Sequence, residues 1–172
     1  FIQPHVGGDV ALLSGVAKYL IQKEAIDKKF IEDHTDGFKE FLAFITELDW
    51  DSITRESGVE KKIIEQIAEA YLASEKTVFS WGMGLTHHMN GTENIEAISN
   101  LALLRGMIGG EGKGLLPLRG HSNVQGVGSM GFTPDLKDKM FQAIEQKYEI
   151  DLPRYKGMDT LACVLAAEQG EI

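Results

Sequence analysis

In DVALLSGVAKYLIQKE, the apolar residues Leu12, Leu13, Val16, Ala17, Leu20 and Ile21 recur at the spacing of one helical face, with polar residues between them. The run predicts an amphipathic helix opening at Asp9, whose carboxylate stands where an N-cap belongs. Shorter helical patterns follow in AIDKKFIEDH and in GFKEFLAFITEL, the second presenting Phe38, Phe41, Leu42 and Ile45 to a core. In SGVEKKIIEQIAEAYLAS, Ser57 and Glu60 have the spacing of a capping box. Val59, Ile63, Ile67 and Tyr71 continue at four-residue intervals, so a further helix is predicted.

The period then changes. TVFSWGMG is a short β-prone run halted by glycine and predicts a buried strand over residues 77–81. MNGTENIEAISNLALLRGMIG returns to helical spacing, with Ile95, Ile98 and Ala102 on one side. Helix, strand, loop and helix in this order make an α/β unit with its loop at the carboxyl end of the strand. Nine of the nineteen glycines lie between Gly106 and Gly131, which predicts irregular backbone there. Helix resumes in FTPDLKDKMFQAIEQKYEI, with Thr133 as N-cap, Pro134 at the first helical position, and Leu136, Met140, Ile144 and Tyr148 one turn apart. A last helix is predicted through MDTLACVLAAEQ, stopping at Gly170.

Composition narrows the function classes. The 172 residues are 43% hydrophobic and 25% charged, ordinary globular usage for one domain or one and a part of another. A net charge of −9 without any basic run argues against a nucleic-acid surface. No apolar stretch reaches the roughly 18 residues of a membrane span, and FIQPHVGGDV lacks the basic and apolar regions of a signal peptide. The single Cys163 excludes an internal disulfide and a multi-cysteine metal site, and fits a reducing, cytoplasmic setting. It is expected to be a buried structural thiol in its helix. The apolar start at FIQP and the stop at EQGEI read as an excised piece of a longer chain, with uncovered apolar residues that favour self-association.

Three places can carry chemistry. At Gly7, Gly8 and Asp9, two glycines would let a ligand approach the backbone and a carboxylate could accept the N–H donors of a guanine edge; a simple helix cap is the alternative. In WGMGLTHHMNG, the loop beyond the strand, Met83 offers a soft apolar contact and His87 a ring donor or acceptor at a ligand edge. His87 and His88 resemble a metal pair, but adjacent side chains diverge and no third ligand is suitably spaced, so exposed or capping histidines are preferred. The glycines at 82, 84 and 91 do not match a dinucleotide fingerprint. In LPLRGHSNVQG, Arg119 supplies a fixed fork for phosphate or a polar heterocycle, and Asn123 with Gln125 can serve both donors and acceptors of a ring. A polar surface loop is the plainer reading, but Leu116, Leu118 and Val124 are expected to anchor this one.

Taken together, GGDVALLSGVAKYLIQ and TVFSWGMGLTHHMNGTENIEAISNLALLRGMIGGEGKGLLPLRGHSNVQGVGSMG resemble the molybdopterin-dependent oxidoreductases of the dimethyl sulfoxide reductase class, and within it formate-dehydrogenase-like large subunits. The resemblance implies a helix-rich α/β fold. Residues 1–115 would form a partial Rossmann-like molybdopterin guanine dinucleotide-binding part with few parallel strands, and residues 116–172 a pterin-contacting Gly-rich loop and helical connector. It implies a bis(molybdopterin guanine dinucleotide) cofactor carrying molybdenum or tungsten. Gly7, Gly8 and Asp9 would contact a guanosine portion, Met83, Gly84 and His87 would line a dinucleotide site, and Arg119, Gly120 and His121 would approach the pterins near the metal. Arg119 and His121 are the catalytic candidates, and no residue of this chain is expected to ligate the metal. His121 stands where the formate dehydrogenases carry glutamine or asparagine, which leaves the substrate open. The resemblance puts the metal-ligating residue and any iron–sulfur cluster upstream of Phe1, so the chain alone is expected to be inactive. Its parent would oxidise or reduce a small molecule such as formate with an electron-transfer subunit as partner. A non-catalytic purine-nucleotide-binding or protein-interaction module is the competing reading.

Overall fold

In the computed structural model, which describes residues 1–130, 137–155 and 157–172, the helix expected near Asp9 forms as α1 (Asp9–Gln22). Its stripe faces inward as the pattern requires, with Val16, Ala17 and Leu20 buried. Asp9 is not the cap. It is the first helical residue, Gly8 holds the cap position, and no side chain caps the helix. The cause is the preceding turn: Gly7 takes φ 82° and the Gly8 N–H donates to the His5 carbonyl at 2.9 Å, which starts the helix one residue early.

Four helices follow: α2 (Lys28–His34), α3 (Phe38–Glu47), α4 (Trp50–Ser57) and α5 (Lys61–Leu72). Asp49 caps α4 by accepting from the Ser52 N–H at 2.8 Å, and Gly58 ends it in the left-handed region at φ 68°. Ser57 is therefore the last residue of α4 rather than the cap of α5. Its Oγ takes the Val59 N–H at 3.2 Å, and the predicted capping box does not form. The inward face of α5 rotates with this change: Ile64 and Ala68 are fully buried while Ile63, Ile67 and Tyr71 flank them.

The chain then runs through β1 (Val78–Trp81), α6 (Met83–Thr86), α7 (Gly91–Leu104) and β2 (Gly114–Pro117). The two strands are parallel, with Val78 opposite Gly114 and Trp81 opposite Pro117. This makes the fold helix-rich α/β. The β1 strand forms where predicted but is not buried: Phe79 and Trp81 are half-buried, while Val78 is 50% exposed and Ser80 is exposed. In a two-stranded sheet only one face meets helices, so alternate residues remain in solvent. The β2 strand corrects the expectation of irregular backbone through the glycine-rich stretch. The expected anchors Leu116 and Leu118 are 51% and 57% exposed, because the described residues supply no layer to cover them.

Helices α1 to α5 and α7 enclose the core, with α1 packed against α3, α4, α5 and α7 and with Ile31 of α2 entering beside α7. Gly15 permits close packing of α1 on its neighbours: a Cβ there would lie 2.9 Å from Ile53 and 3.0 Å from Ile64 side-chain carbons. Buried Lys18 donates from Nζ to the Ile45 and Thr46 carbonyls at 3.2 and 2.9 Å, closing the open end of α3. These elements belong to one compact unit, Phe1–Gly120.

A second unit, His121–Ile172, contains α8 (Val124–Ser129), α9 (Asp138–Tyr148) and α10 (Thr160–Gln169). The α8 turn is a further departure from irregular backbone, and Val124 is 39% exposed rather than an anchor. Thr133, Pro134 and Leu136, expected at the start of the next helix, lie outside the described residues. Asp159 caps α10 by accepting from the Ala162 N–H at 2.9 Å, and the helix stops at Gly170 as predicted. Cys163 is half-buried rather than buried. Its helix is apolar on several sides, and Leu161, Val164 and Leu165 are exposed. Among the described residues, no helix is long and apolar enough to cross a membrane.

Candidate functional site

Parallel pairing brings the carboxyl ends of both strands to the same edge. The Leu118 N–H donates to the Trp81 carbonyl at 2.7 Å, extending the ladder one residue beyond β2. Gly82 and Met83 on one side thus face Leu118, Arg119 and Gly120 on the other. Such an edge is where open α/β sheets take ligands. Met83 and Gly120 meet there: a Cβ on Gly120 would lie 2.6 Å from Met83 Cε and 3.0 Å from its Sδ. Gly82 and Gly84, in contrast, have open space where a Cβ would go. Met83 is 39% exposed, and His87 and Arg119 are exposed.

The segment beyond β1 is not the simple loop expected. Met83 to Thr86 make one helical turn, and the His87 N–H closes it on the Met83 carbonyl at 3.0 Å. Two residues of α7 hold this turn. Asn94 is fully buried and donates from Nδ2 to the Leu85 carbonyl at 2.8 Å. Gly91 packs so closely that a Cβ would lie 2.5 Å from the Thr86 carbonyl oxygen. Neither was singled out from the sequence. Their signal is an amide at a core-facing position, Asn94 standing one helical turn before Ile98.

The strand is fixed from beneath by α5 and α7. The Tyr71 ring meets Phe79 edge-on at 5.3 Å between centroids, and its hydroxyl donates to the Leu101 carbonyl at 2.8 Å. Arg105 lies over the same ring at 4.8 Å and donates to the carbonyls of Tyr71, Leu72 and Ser74 at the end of α5. Burial pushes the Tyr71 phenol above its ordinary pKa, with Arg105 opposing the shift.

The remaining candidates sit elsewhere in the chain. Gly7, Gly8 and Asp9 form the entrance to α1, where buried Gly8 packs on the end of α4: a Cβ would lie 2.6 Å from the Glu56 carbonyl oxygen. The close approach at Gly8 is thus made by the chain's own backbone, while Gly7 has open space and Asp9 is half-buried. His121 is exposed at the start of the second unit. Asn123 adopts φ 55° ahead of α8 and lies against Gly126, where a Cβ would be 2.1 Å from its Oδ1. Among the described residues no three His, Cys, Asp or Glu side chains are grouped to hold a metal.

A family profile described as molybdopterin oxidoreductase matches residues 1–157. The chain is 34% identical over 178 residues to an uncharacterized oxidoreductase of Mycobacterium tuberculosis, covering 100% of this chain and 23% of that protein. It is 36% identical over 176 residues to the protein YdeP of Escherichia coli, covering 96% and 23%. A third relative is the Bacillus subtilis protein YrhE, whose name gives it provisionally as a formate dehydrogenase. It is 33% identical over 180 residues, covering 100% of this chain and 18% of that protein. The chain thus spans a quarter or less of the length of these curated relatives.

Proposed function

The chain belongs to the molybdopterin oxidoreductase family, and on that premise we propose that it forms part of the cradle for a bis(molybdopterin guanine dinucleotide) carrying molybdenum or tungsten. The observation that supports this most is the shared carboxyl edge of β1 and β2, where Met83 and Gly120 touch and Gly82 and Gly84 leave backbone open. The residues present fit such a group. Glycine at position 120 lets the Met83 thioether approach the end of the second strand, which brings a soft apolar side chain and the open main chain of Gly82 and Gly84 to one edge, chemistry suited to a flat heterocycle.

When bound, the metal pterin supplies a two-electron redox couple. The chain's own residues bind and orient. Met83 and Gly84 present a soft surface and open backbone, and His87 offers a ring nitrogen to a nucleotide edge. Arg119 offers a planar, permanently charged fork to phosphate or to a pterin oxygen. Gly7, with open space beside it, and half-buried Asp9 would meet a guanosine portion at the entrance to α1, while Gly8 holds that entrance against α4. Arg119 and His121 would orient an anionic substrate and offset charge developing on it. In the parent protein the reaction is the oxidation or reduction of a small molecule such as formate, the activity suggested by the name of YrhE, with a partner subunit taking the two electrons in the first case and supplying them in the second.

The test is pterin, guanine nucleotide and metal analysis of the parent protein made in a host that assembles the cofactor. The proposal predicts all three. Finding none of them would sink it and leave a nucleotide- or protein-binding module.

A further inference from the structure

We propose that Asn94 is a positioning residue: from inside α7 it sets the shape of the Met83–His87 turn, and through it the surface offered to the nucleotide. The effect of Asn94 on the nucleotide surface rests on the function proposed above, whereas its hold on the turn stands on geometry alone. Asn94 is 0% exposed, a burial that an amide tolerates only when its polar ends are paired. Its Nδ2 donates to the Leu85 carbonyl at 2.8 Å, and its Oδ1 accepts from Asn90 Nδ2 at 3.4 Å. A short helical turn leaves its carbonyls without intrahelical partners, and Leu85 is one of them. Asn94 thus answers a carbonyl that the short turn itself leaves without a partner. It also ties the end of β1 to a helix packed directly on the core.

The neighbouring contacts act on the same few residues. The Asn94 N–H donates to the Asn90 carbonyl at 3.0 Å, and the Gly91 N–H to the His88 carbonyl at 3.1 Å, so the start of α7 is wound onto the segment it holds. Gly91 lets the Thr86 carbonyl approach to a distance that any side chain would forbid. Asn94 pulls on the turn and Gly91 makes room for it. Met83 and His87 belong to that turn, and neither side chain is fixed by burial: Met83 is 39% exposed and His87 is exposed. Their placement is set by the backbone that Asn94 holds.

The experiment is amide hydrogen exchange on the 172-residue chain carrying Asn94→Ala, with Asn94→Asp as a second variant that keeps the volume and removes the donor. The Leu85, His87 and Gly91 amides are each hydrogen-bonded and report on the segment. Loss of one buried hydrogen bond should speed their exchange about tenfold in either variant. Amides of α1 and α5 should keep wild-type rates. Unchanged exchange at Leu85, His87 and Gly91, or equal acceleration throughout the unit, would overturn the proposal, the latter marking Asn94 as a general stabiliser. Pterin content of the parent carrying Asn94→Asp provides the second readout and is expected to fall severalfold while the amount of folded protein holds. If the wild-type parent contains no pterin, the proposed function fails while the exchange result still decides whether Asn94 sets the turn. Local acceleration with full pterin content would confine Asn94 to the turn and overturn its role toward the nucleotide.

Discussion

Gly8 and Gly84 both stand beside the start of a helix, both belong to segments that read as ligand-contacting, and the structure treats them in opposite ways. Gly8 is filled from outside by the chain's own Glu56 carbonyl, whereas Gly84 has open space where a side chain would project. The same division runs through the first unit. The body of α1, α4, α5 and α7 uses small residues for self-packing, at Gly8, Gly15 and Gly91, while the edge beyond the strands leaves Gly82 and Gly84 open. A glycine in a motif therefore reports close approach or open backbone, and only its neighbours tell which.

Substitutions should affect the two regions differently. The largest effect is expected in the body, where Ile64→Ala removes a fully buried side chain from between helices and should cost about 2–5 kcal/mol in denaturant unfolding. Gly8→Ala should cost about 1–3 kcal/mol, because its methyl group meets backbone and not a yielding side chain. A Gly8→Ala chain as stable as the wild type would show that the contact with α4 is dispensable.

Tyr71 lies where the body meets the strand. Tyr71→Phe loses the bond to the Leu101 carbonyl and should cost about 1 kcal/mol. It should also change the alkaline limb of stability. Burial raises the folded phenol's pKa, so its contribution is complete below the unfolded value of about 10 and is lost as pH rises from there toward the folded value. The wild type should therefore lose stability above that pH more steeply than the variant, as read from unfolding midpoints across alkaline pH.

The smallest effects on stability belong at the open edge. Arg119→Ala and Gly84→Ala should each change stability by less than about 0.5 kcal/mol, since Arg119 is exposed and nothing opposes a methyl group at residue 84. The same changes in the parent should lower cofactor retention and turnover strongly. A large loss of stability from Arg119→Ala, with normal turnover in the parent, would make Arg119 a structural anchor and remove it from the site.

Much of this architecture was legible along the chain, and the failures have physical causes. The α1 stripe and the Gly170 stop followed from helical period and left-handed backbone, and β1 from a β-branched and aromatic run ended by Gly82. The β2 strand escaped notice because Gly114, Leu115, Leu116 and Pro117 are four residues among glycines; it is defined by pairing with β1, a contact more than thirty residues away that no local pattern encodes. The capping-box spacing of Ser57 and Glu60 was present, but α4, capped by Asp49, already owned Ser57. At the site, the Met83 and Gly120 segments were both recognised, while their meeting required the sheet. Asn94 went unread because an amide within a helical stripe looks solvent-facing until the carbonyl it serves is known.

We propose that the open edge beyond the strands, and not the buried core between α1, α4, α5 and α7, meets the cofactor. Amide exchange compared between cofactor-loaded and cofactor-free parent protein tests it most directly. Slower exchange at residues 82–87 and 118–120 on loading, with α1 and α5 core amides unchanged, is the predicted result. Unchanged exchange at both segments, with new protection confined to other parts of the chain, would contradict it.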